Sequence, residues 1–146
     1  MIKTILLKLF ICLIILFGDI PAIDSITVFV EINGFRNENG FCRLLLFESD
    51  QGFPDTPEEA ELMLSSKIVS RNANFIFKII PGKYAMVILH DENSDGKINK
   101  TWYGKPKEGF GVSNNPEIGF SSPQFSESVL NIDEKNNYIK IKLNYL

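Results

Sequence analysis

The regular alternation of apolar and polar residues limits what this chain can fold into more than any other feature. In SITVFVEIN, residues 25–33, every second residue from Ile26 to Ile32 is apolar. Because successive side chains of a β-strand point to opposite faces, this period predicts a strand with one buried face. Such a strand needs a second layer of structure packed against it.

Five further segments have strand-like composition. The turn segment NGFRNENG, residues 33–40, leads to a second strand at Phe41–Glu48, and the two strands are expected to pair as an antiparallel hairpin. YAMVIL, residues 84–89, is apolar on both faces, which is typical of a central strand covered on both sides. The remaining strands are predicted at residues 74–80, 128–133 and 138–143.

Turn and edge signals accompany these strands. Residues Ile80–Lys83, IPGK, fit a type II turn, since proline presets the first central φ angle and glycine accepts the positive φ angle at the second. This turn would lead from strand 74–80 into the returning strand 84–89. Lys140 and Lys142 lie on the outer face of the last strand, where they would protect a sheet edge.

Two segments are predicted to lie outside the strands. Glu58–Ser65 is expected to form one short helix, because Thr56 can cap it and Pro57 suits the first helical position. Lys97–Asn115 lacks clean periodicity and is expected to be a long loop packed by its own side chains. The aromatic residues available for that packing are Trp102, Tyr103, Phe110 and Phe120. Six or seven short strands with one small helix predict an all-β fold, an antiparallel β-sandwich of about seven strands.

The N-terminal residues are typical of a secretory signal peptide. Lys3 and Lys8 flank a short apolar run that continues through Leu9–Phe17, and small residues suited to cleavage follow it. The run falls short of the roughly 20 residues that cross a bilayer, so cleavage is expected, with an uncleaved anchor as the alternative. The sequence therefore predicts a signal peptide at residues 1–22 and a single β-sandwich domain at 23–146, secreted or periplasmic.

The charge and cysteine content narrow the classes of partner. Removing Lys3, Lys8 and Asp19 from 15 basic and 18 acidic residues leaves 13 and 17, a net charge of −4. Without a basic patch, nucleic acid is not an expected partner. Cys42 is the one cysteine after the signal segment, so a disulfide framework is excluded, and its phase with Leu44 predicts burial. A monomer is expected, in contact with a membrane only through an uncleaved signal segment.

The residues with the most chemical content lie in DENSDGKIN, residues 91–99. Side-chain oxygens at alternate positions can converge on one point if Gly96 permits a sharp turn. This spacing matches the first nine positions of a calcium loop of the EF-hand kind, and it predicts a weak calcium site with a dissociation constant of about 10⁻⁴ to 10⁻³ M. The ligands would be Asp91, Asn93, Asp95, the backbone carbonyl of Lys97, and Asn99.

Two observations leave an alternative open. Trp102 stands where such a loop normally supplies a bidentate glutamate, so Glu108, Asp133 or another acid would have to complete the coordination shell. Asp, Asn, Ser and Gly are also the residues of a tight turn that is braced by side-chain bonds to backbone amides. The loop is therefore either a calcium site or an Asx-braced turn.

His90 is the chain's one histidine, so a catalytic triad or Cys/His pair would depend on it. It follows the strand 84–89 and stands beside Asp91 and Glu92, but no nucleophile elbow or phosphate-binding glycine loop accompanies it. One histidine and one mature cysteine do not supply the four ligands of a structural zinc site. His90 is expected to be a structural residue that bonds a neighbouring loop.

Several short motifs resemble the signature of a bacterial secreted domain of unknown function, family 2141. They are HDEN (90–93), GK (96–97), GKPKEGFG (104–111), SNN (113–115), PGKYA (81–85) and PQF (123–125). The resemblance implies an exported β-sandwich related to transthyretin-like and carboxypeptidase-regulatory-like modules, and no established activity. It also implies that the loops containing HDEN and GKPKEGFGVSNN pack together. Glu108 or Asn114 would then lie near the ion, and Glu108 could replace the missing acid.

Three functions are compatible with these features. The first is a non-enzymatic exported module whose calcium-stiffened loops present a surface to a cell-envelope protein or a glycan. The residues expected on that surface are Trp102, Tyr103, Phe110, Asn114 and Asn115. The alternatives are a small hydrolase that uses His90, Asp91 and Glu108, and a purely structural envelope protein.

Overall fold

The computed structural model describes residues 24–96, 99–102, 104, 107–117 and 121–145. Within these residues the chain forms eight strands, a 3₁₀ turn at Pro57–Glu59 and a short helix, α1, at Phe125–Ser128. The strands are β1 (Ile26–Asn33), β2 (Phe41–Phe47), β3 (Leu62–Ser66), β4 (Asn72–Ile79), β5 (Gly82–Asp91), β6 (Gly109–Val112), β7 (Leu130–Ile132) and β8 (Tyr138–Lys142). The predicted all-β class with one short helix is confirmed.

The strands form two sheets. The first has the order β4-β1-β8, and the second has the order β3-β2-β5-β6, with β7 also paired to β5. The pairings are antiparallel except that of β1 with β8, where Phe29 lies opposite Tyr138 in a parallel register. Strand β8 is an edge of the first sheet, and Lys140 and Lys142 are exposed on it, as the sequence predicted.

The main core lies between the two sheets. The alternating apolar residues of β1 point into it, and Val28 and Ile32 are completely buried. From the opposite sheet come the apolar residues of β2 and β5 that share one face, including Cys42 and Met86. Burial raises the pKa of the Cys42 thiol to about 12, so this residue is the small buried hydrophobe that the sequence predicted.

A second apolar cluster covers the outer face of the second sheet. Leu45, Phe47 and Val87 from the sheet pack there with Phe110 and Val112 of β6. The loop after β2 and helix α1 cover this cluster with Phe53, Ala60 and Phe125. Strand β5 is therefore buried on both faces, and its prediction as a central covered strand is confirmed.

Two predicted local pairings are wrong. Strands β1 and β2 do not form a hairpin, because β1 pairs with β4 and β8 while β2 pairs with β3 and β5. Strands β4 and β5 also lie in different sheets, so Ile80 and Pro81 connect the two layers. Gly82 is the first residue of β5, lies opposite Ile132 and does not have the positive φ angle that a type II turn requires.

The predicted helix Glu58–Ser65 is also wrong. Its first residues form part of the 3₁₀ turn, and its second half is strand β3, whose Leu64 lies opposite Leu44 of β2. This segment is a strand because its apolar residues alternate. As a strand at the edge of β2, it directs both Leu62 and Leu64 toward the core. Tertiary pairing outweighed helix propensity here.

The segment Lys97–Asn115 contains strand β6 and is not a continuous loop. Phe110 lies in that strand and is buried, whereas 96% of the Trp102 surface is exposed, so Trp102 does not help to close a small core. The two remaining aromatic residues of this prediction, Tyr103 and Phe120, lie outside the described residues.

The predicted signal peptide, residues 1–22, also lies outside the described residues. Within the described ranges, no helix has the length and apolar character needed to cross a membrane.

Candidate functional site

The candidate site is built around Asp91, the last residue of the buried strand β5. Its side chain is completely buried, and its Oδ2 accepts a 2.5 Å bond from Nε of Arg43 on the neighbouring strand. Backbone N–H groups of Asp95 and Gly96 donate to its Oδ1 and Oδ2 at 3.1 and 3.0 Å. Asp91 therefore folds the loop back onto the end of its own strand.

The register between β2 and β5 explains the Arg43 contact. Arg43 lies opposite Leu89, two residues before Asp91, so the three side chains share one face of the sheet. A buried carboxylate without a cationic or hydrogen-bonding partner is costly, and Arg43 supplies both a charge and a donor.

Two glycines allow the loop to pack this closely. Gly40, at a φ of +67°, lies against the backbone of Asp91, and a Cβ atom there would come within 1.9 Å of the Asp91 carbonyl oxygen. Gly96 has a φ of +73°, as expected for the sharp turn predicted at that position.

The polar side chains of the loop form a chain of contacts. The Asn93 amide donates to Oδ2 of Asp95 at 2.9 Å, and the Asp95 backbone N–H donates to Oδ1 of Asn93 at 3.1 Å. The Asn99 amide donates to the same Oδ2 of Asp95 at 2.8 Å. Three of the predicted ligands thus share one set of hydrogen bonds, with Asp95 at its centre.

Glu108 joins this set from the segment before β6. Its carboxylate is largely buried, accepts the backbone N–H of Glu92 at 3.0 Å, and lies 3.4 Å from the Asn99 amide nitrogen. One amide therefore bridges the carboxylates of Asp95 and Glu108. The structure brings Glu108 to the loop, whereas the Asn114 amide donates to the carbonyls of Glu127 and Val129 near α1.

The donor set is modest for a metal centre. Among the described residues, no three His, Cys, Asp or Glu side chains are grouped in a way that could hold a metal ion. Lys97, whose carbonyl was a predicted ligand, lies outside those residues, and Asp91 is already paired with Arg43. The other oxygen atoms at the loop belong to the carboxylates of Asp95 and Glu108, which also accept hydrogen bonds, and to the amides of Asn93 and Asn99. This set is compatible with weak binding of a hard cation.

His90 is held inside the protein on the opposite face of β5. Its Nδ1 lies 2.7 Å from the Tyr145 hydroxyl, and its Nε2 lies 2.8 Å from the carbonyl oxygen of Asn39. Since a carbonyl only accepts, Nε2 donates its N–H to Asn39, and Nδ1 pairs with the Tyr145 hydroxyl. The imidazole is completely buried and packs edge-on against Phe35, so it has the geometry of a structural residue that bonds a neighbouring loop.

Sequence reasoning missed the residues that surround His90 and Glu92. Arg36 binds the Glu92 carboxylate through two bonds of 2.6 and 2.8 Å, and its guanidinium lies 4.7 Å from the centre of the Tyr145 ring. The hydrogen bond from Arg36 is the main reason that the pKa of Glu92 is lowered. These partners, like Arg43, come from distant parts of the chain, and no local motif marks them.

The surface around the loop differs from the one that the sequence predicted. Phe110 is buried, and Asn115 clamps the edge strand by accepting from the Lys142 N–H at 2.7 Å and donating to the Lys140 carbonyl at 3.0 Å. Among the described residues of that expected surface, Trp102 is the exposed aromatic side chain.

Comparison with known proteins gives one match. A family model described as an uncharacterized protein conserved in bacteria (DUF2141) matches residues 30–140. This range runs from β1 to β8 and includes the candidate loop, and it confirms the resemblance seen in the sequence. No curated protein and no solved structure matches the chain.

Proposed function

The chain belongs to the DUF2141 family of uncharacterized bacterial proteins, and we propose that it is an exported, non-enzymatic β-sandwich module with a weak calcium-binding loop. In this proposal Asp91 braces the loop, while Asn93, Asp95, Asn99 and Glu108 are the residues that meet the ion. The loop then offers a stiffened surface to a cell-envelope protein or a glycan.

The observation that supports the cation site best is the bridge between two carboxylates. The Asn99 amide nitrogen lies 2.8 Å from Asp95 and 3.4 Å from Glu108, so two negative groups converge on one small polar group. A half-turn of that amide exchanges its nitrogen for its oxygen. A calcium ion bound there would then replace the hydrogen bonds with oxygen ligands, which hard cations prefer.

Calorimetric titration of the purified protein with CaCl₂ tests the cation site. The expected dissociation constant is about 10⁻⁴ to 10⁻³ M, and an Asp95→Asn, Glu108→Gln double variant should bind at least about tenfold more weakly. The matched control is Glu117→Gln, Glu134→Gln, which removes two exposed acids elsewhere. An Asp95→Asn single variant is a further test. It changes an exposed side chain and keeps the buried Glu108, so a loss of binding in this variant does not come from a change at Glu108.

A flat titration of the parent protein would reject the cation site and leave the Asx-braced turn. Equal affinity in the parent and the Asp95→Asn, Glu108→Gln variant would reject these ligands. Thermal unfolding of each variant without calcium separates loss of binding from loss of fold.

Trp102, three residues after the proposed ligand Asn99, supports a surface for a partner. Its side chain is 96% exposed, and an exposed tryptophan supplies a large apolar face with one hydrogen-bond donor, which suits either a protein or a sugar ring. A glycan array probed with the parent and a Trp102→Ala variant, each with and without calcium, tests this part. Calcium-dependent binding that the variant loses supports it, and identical profiles for both proteins reject it.

Export is supported by the signal-like residues 1–22. N-terminal sequencing of the protein recovered outside the cytoplasm tests it, and a mature chain that starts at Ile23 is the expected result. Recovery of the intact N-terminus in a membrane fraction would favour the uncleaved anchor.

The hydrolase alternative draws no support from the geometry. His90 and Asp91 are completely buried, both His90 nitrogens are engaged within the protein, and Asp91 is paired with Arg43. A general base must reach the proton that it removes, which these two positions do not permit in this conformation.

A further inference from the structure

Strand β4 is an edge strand of the first sheet that lacks the usual protection against further pairing. Its pairing with β1 runs without a bulge from Asn72 to Ile79. On its other side, the described residues supply one β-bridge, between Asn72 and Val69 at the start of the strand. The strand contains no proline and one charged residue, Lys78. A long edge strand without bulges, prolines or several charges is a template for pairing with another strand.

The opposite edge of the same sheet, strand β8, is protected. Lys140 and Lys142 are exposed on it, and the side chain of Asn115 bonds the backbone of both residues. Charged side chains and a covering loop are the devices that keep an edge from pairing further. In the described structure, β4 is therefore the edge of the first sheet that is open to a partner.

An exposed apolar row leads across the first sheet to this open edge. Phe29 of β1 lies opposite Ile76 of β4 and opposite Tyr138 of β8. The three side chains are exposed, at 39%, 68% and 58% in that order. Ile76, the most exposed of them, lies on the edge strand itself. A partner strand beside Ile76 would remove apolar surface from water.

We propose that the partner is a second copy of this chain, which pairs through β4 in an antiparallel ladder with its twofold axis at Ile76. In this register Ile76 lies opposite Ile76 of the second copy, so the two apolar rows join into one row across six strands. The other residues that lie opposite each other are Asn74 and Lys78, Phe75 and Phe77, and Ala73 and Ile79.

The alternation of β4 selects this register. Residues opposite each other in an antiparallel pair share a face, so the register can change only in steps of two residues. One step places Ile76 against Asn74 of the second copy, and a step the other way places it against Lys78. Both steps separate the two apolar rows.

The charges on the outer face also fit this register. Lys78 lies opposite Asn74 of the second copy, so no like charges oppose each other across the contact. The neighbour of Asn74 on β1 is Glu31, which brings a negative side chain within one strand of the Lys78 from the other copy. This self-complementarity favours a second copy over an unrelated extended segment.

The contact is small. Seven paired residues, 73–79, span about 23 Å. The expected dissociation constant is about 10⁻⁵ to 10⁻⁴ M, since a contact of this size belongs to the weak, transient class. At low concentration the chain is then the monomer that the sequence predicted, and it dimerises where it is concentrated.

Sedimentation velocity of the purified protein tests the dimer, at chain concentrations from about 5 µM to about 500 µM. The average mass is expected to rise from one chain toward two. Ile76→Lys should weaken association at least tenfold, because two positive charges would then lie directly opposite each other. The matched control Met63→Lys adds the same charge at an exposed apolar residue of β3, the edge of the second sheet, and should leave association unchanged. A calcium chelator in every sample keeps the result independent of the calcium site.

Disulfide cross-linking tests the register. Opposite Cα atoms of an antiparallel pair are about 4.5 to 5.5 Å apart, a distance that a disulfide spans, so mild oxidation should cross-link Ile76→Cys. The control Asn74→Cys lies on the same strand and face. Its two thiols would be separated by about 13 Å along the strand, so it should stay uncross-linked. The parent protein is the baseline, since its Cys42 is buried.

Three results would overturn the inference. They are a single-chain mass at every concentration, association that Ile76→Lys leaves unchanged, and loss of association in Met63→Lys, which would place the contact on β3. Cross-linking of Asn74→Cys without cross-linking of Ile76→Cys would reject the register and with it the joined apolar row. Circular dichroism of the dilute variants checks their fold, and if Ile76→Lys is unfolded, the cross-linking comparison decides.

Discussion

Nε of Arg43 lies 2.5 Å from Oδ2 of Asp91, and the Asp91 side chain is completely buried. This ion pair joins β2 to the last residue of β5, at the point where the candidate loop leaves the sheet. The ion pair holds the first residue of the loop in place, and Asp91 in turn accepts hydrogen bonds from the backbone N–H groups of Asp95 and Gly96. Stability of the loop should therefore depend on a residue of a different strand.

Replacing Arg43 with Met should destabilise the protein by about 3 kcal/mol, because it leaves the buried carboxylate of Asp91 without its cationic partner. Urea unfolding monitored by fluorescence gives the free energy of unfolding. Adding Asp91→Asn to the Arg43→Met variant should recover part of the loss, since the second change removes the uncompensated charge. A loss below about 0.5 kcal/mol for Arg43→Met would contradict the role assigned to the pair.

Replacing Gly40 with Ala should destabilise the protein by about 3 kcal/mol or more, because the new Cβ atom would collide with the Asp91 carbonyl at a positive φ angle. Gly104 is the matched control. It has a φ of +87° but no atom within 4 Å of the position of an added Cβ, so Gly104→Ala should cost only about 1 kcal/mol of conformational strain. Equal losses of unfolding free energy in the two variants would show that the close approach of Gly40 to Asp91 does not contribute to stability.

The stability supplied by Glu92 should depend on pH. The hydrogen bond from Arg36 lowers the folded-state pKa of Glu92 below its ordinary value of 4.5. A carboxylate with a lowered pKa stabilises the fold above its unfolded pKa, and this contribution is lost as the pH falls through the folded pKa. The difference in unfolding free energy between the parent and Glu92→Gln should therefore be full at pH 7 and shrink below pH 4.5. A difference that stays constant from pH 7 to pH 3 would be inconsistent with this pairing.

Replacing Tyr145 with Phe should cost about 1 to 3 kcal/mol, because buried Nδ1 of His90 loses its hydrogen-bond partner and the Arg36 backbone N–H loses its acceptor. Tyr138→Phe is the control, since that hydroxyl bonds Glu31 on the exposed face of the first sheet. The control should change the free energy of unfolding by no more than about 0.5 kcal/mol. Chemical denaturation of both variants checks the comparison.

Calcium should stabilise the folded protein if the proposed site exists. With a dissociation constant of about 10⁻³ M, 10 mM calcium adds about 1.4 kcal/mol by mass action. Thermal unfolding with and without calcium measures this gain, and Asp95→Asn should reduce it. A gain that the Asp95→Asn, Glu108→Gln variant retains in full would point to a site elsewhere on the protein.

Much of the fold could be predicted from periodicity. The alternation of β1, the double-sided apolar run of β5 and the lysines of β8 depend on the chain within a few residues, and each prediction agrees with the structure. The predicted pairings of neighbouring strands and the predicted helix at 58–65 are wrong. In both cases the structure of the segment depends on which strands become neighbours. A short turn between two strands does not reveal whether the chain stays in one sheet or crosses to the other.

For the candidate site, the composition and spacing of the loop and the glycine at its turn are visible in the sequence, and the family resemblance implied that Glu108 lies near the loop. The contacts of Arg43 with Asp91, of Glu108 with Asn99, and of His90 with Asn39 and Tyr145 are visible only in the folded protein. Hydrogen bonds and ion pairs act over a few ångströms, whereas these partners are separated by up to 55 positions along the chain, so the neighbouring sequence does not specify them.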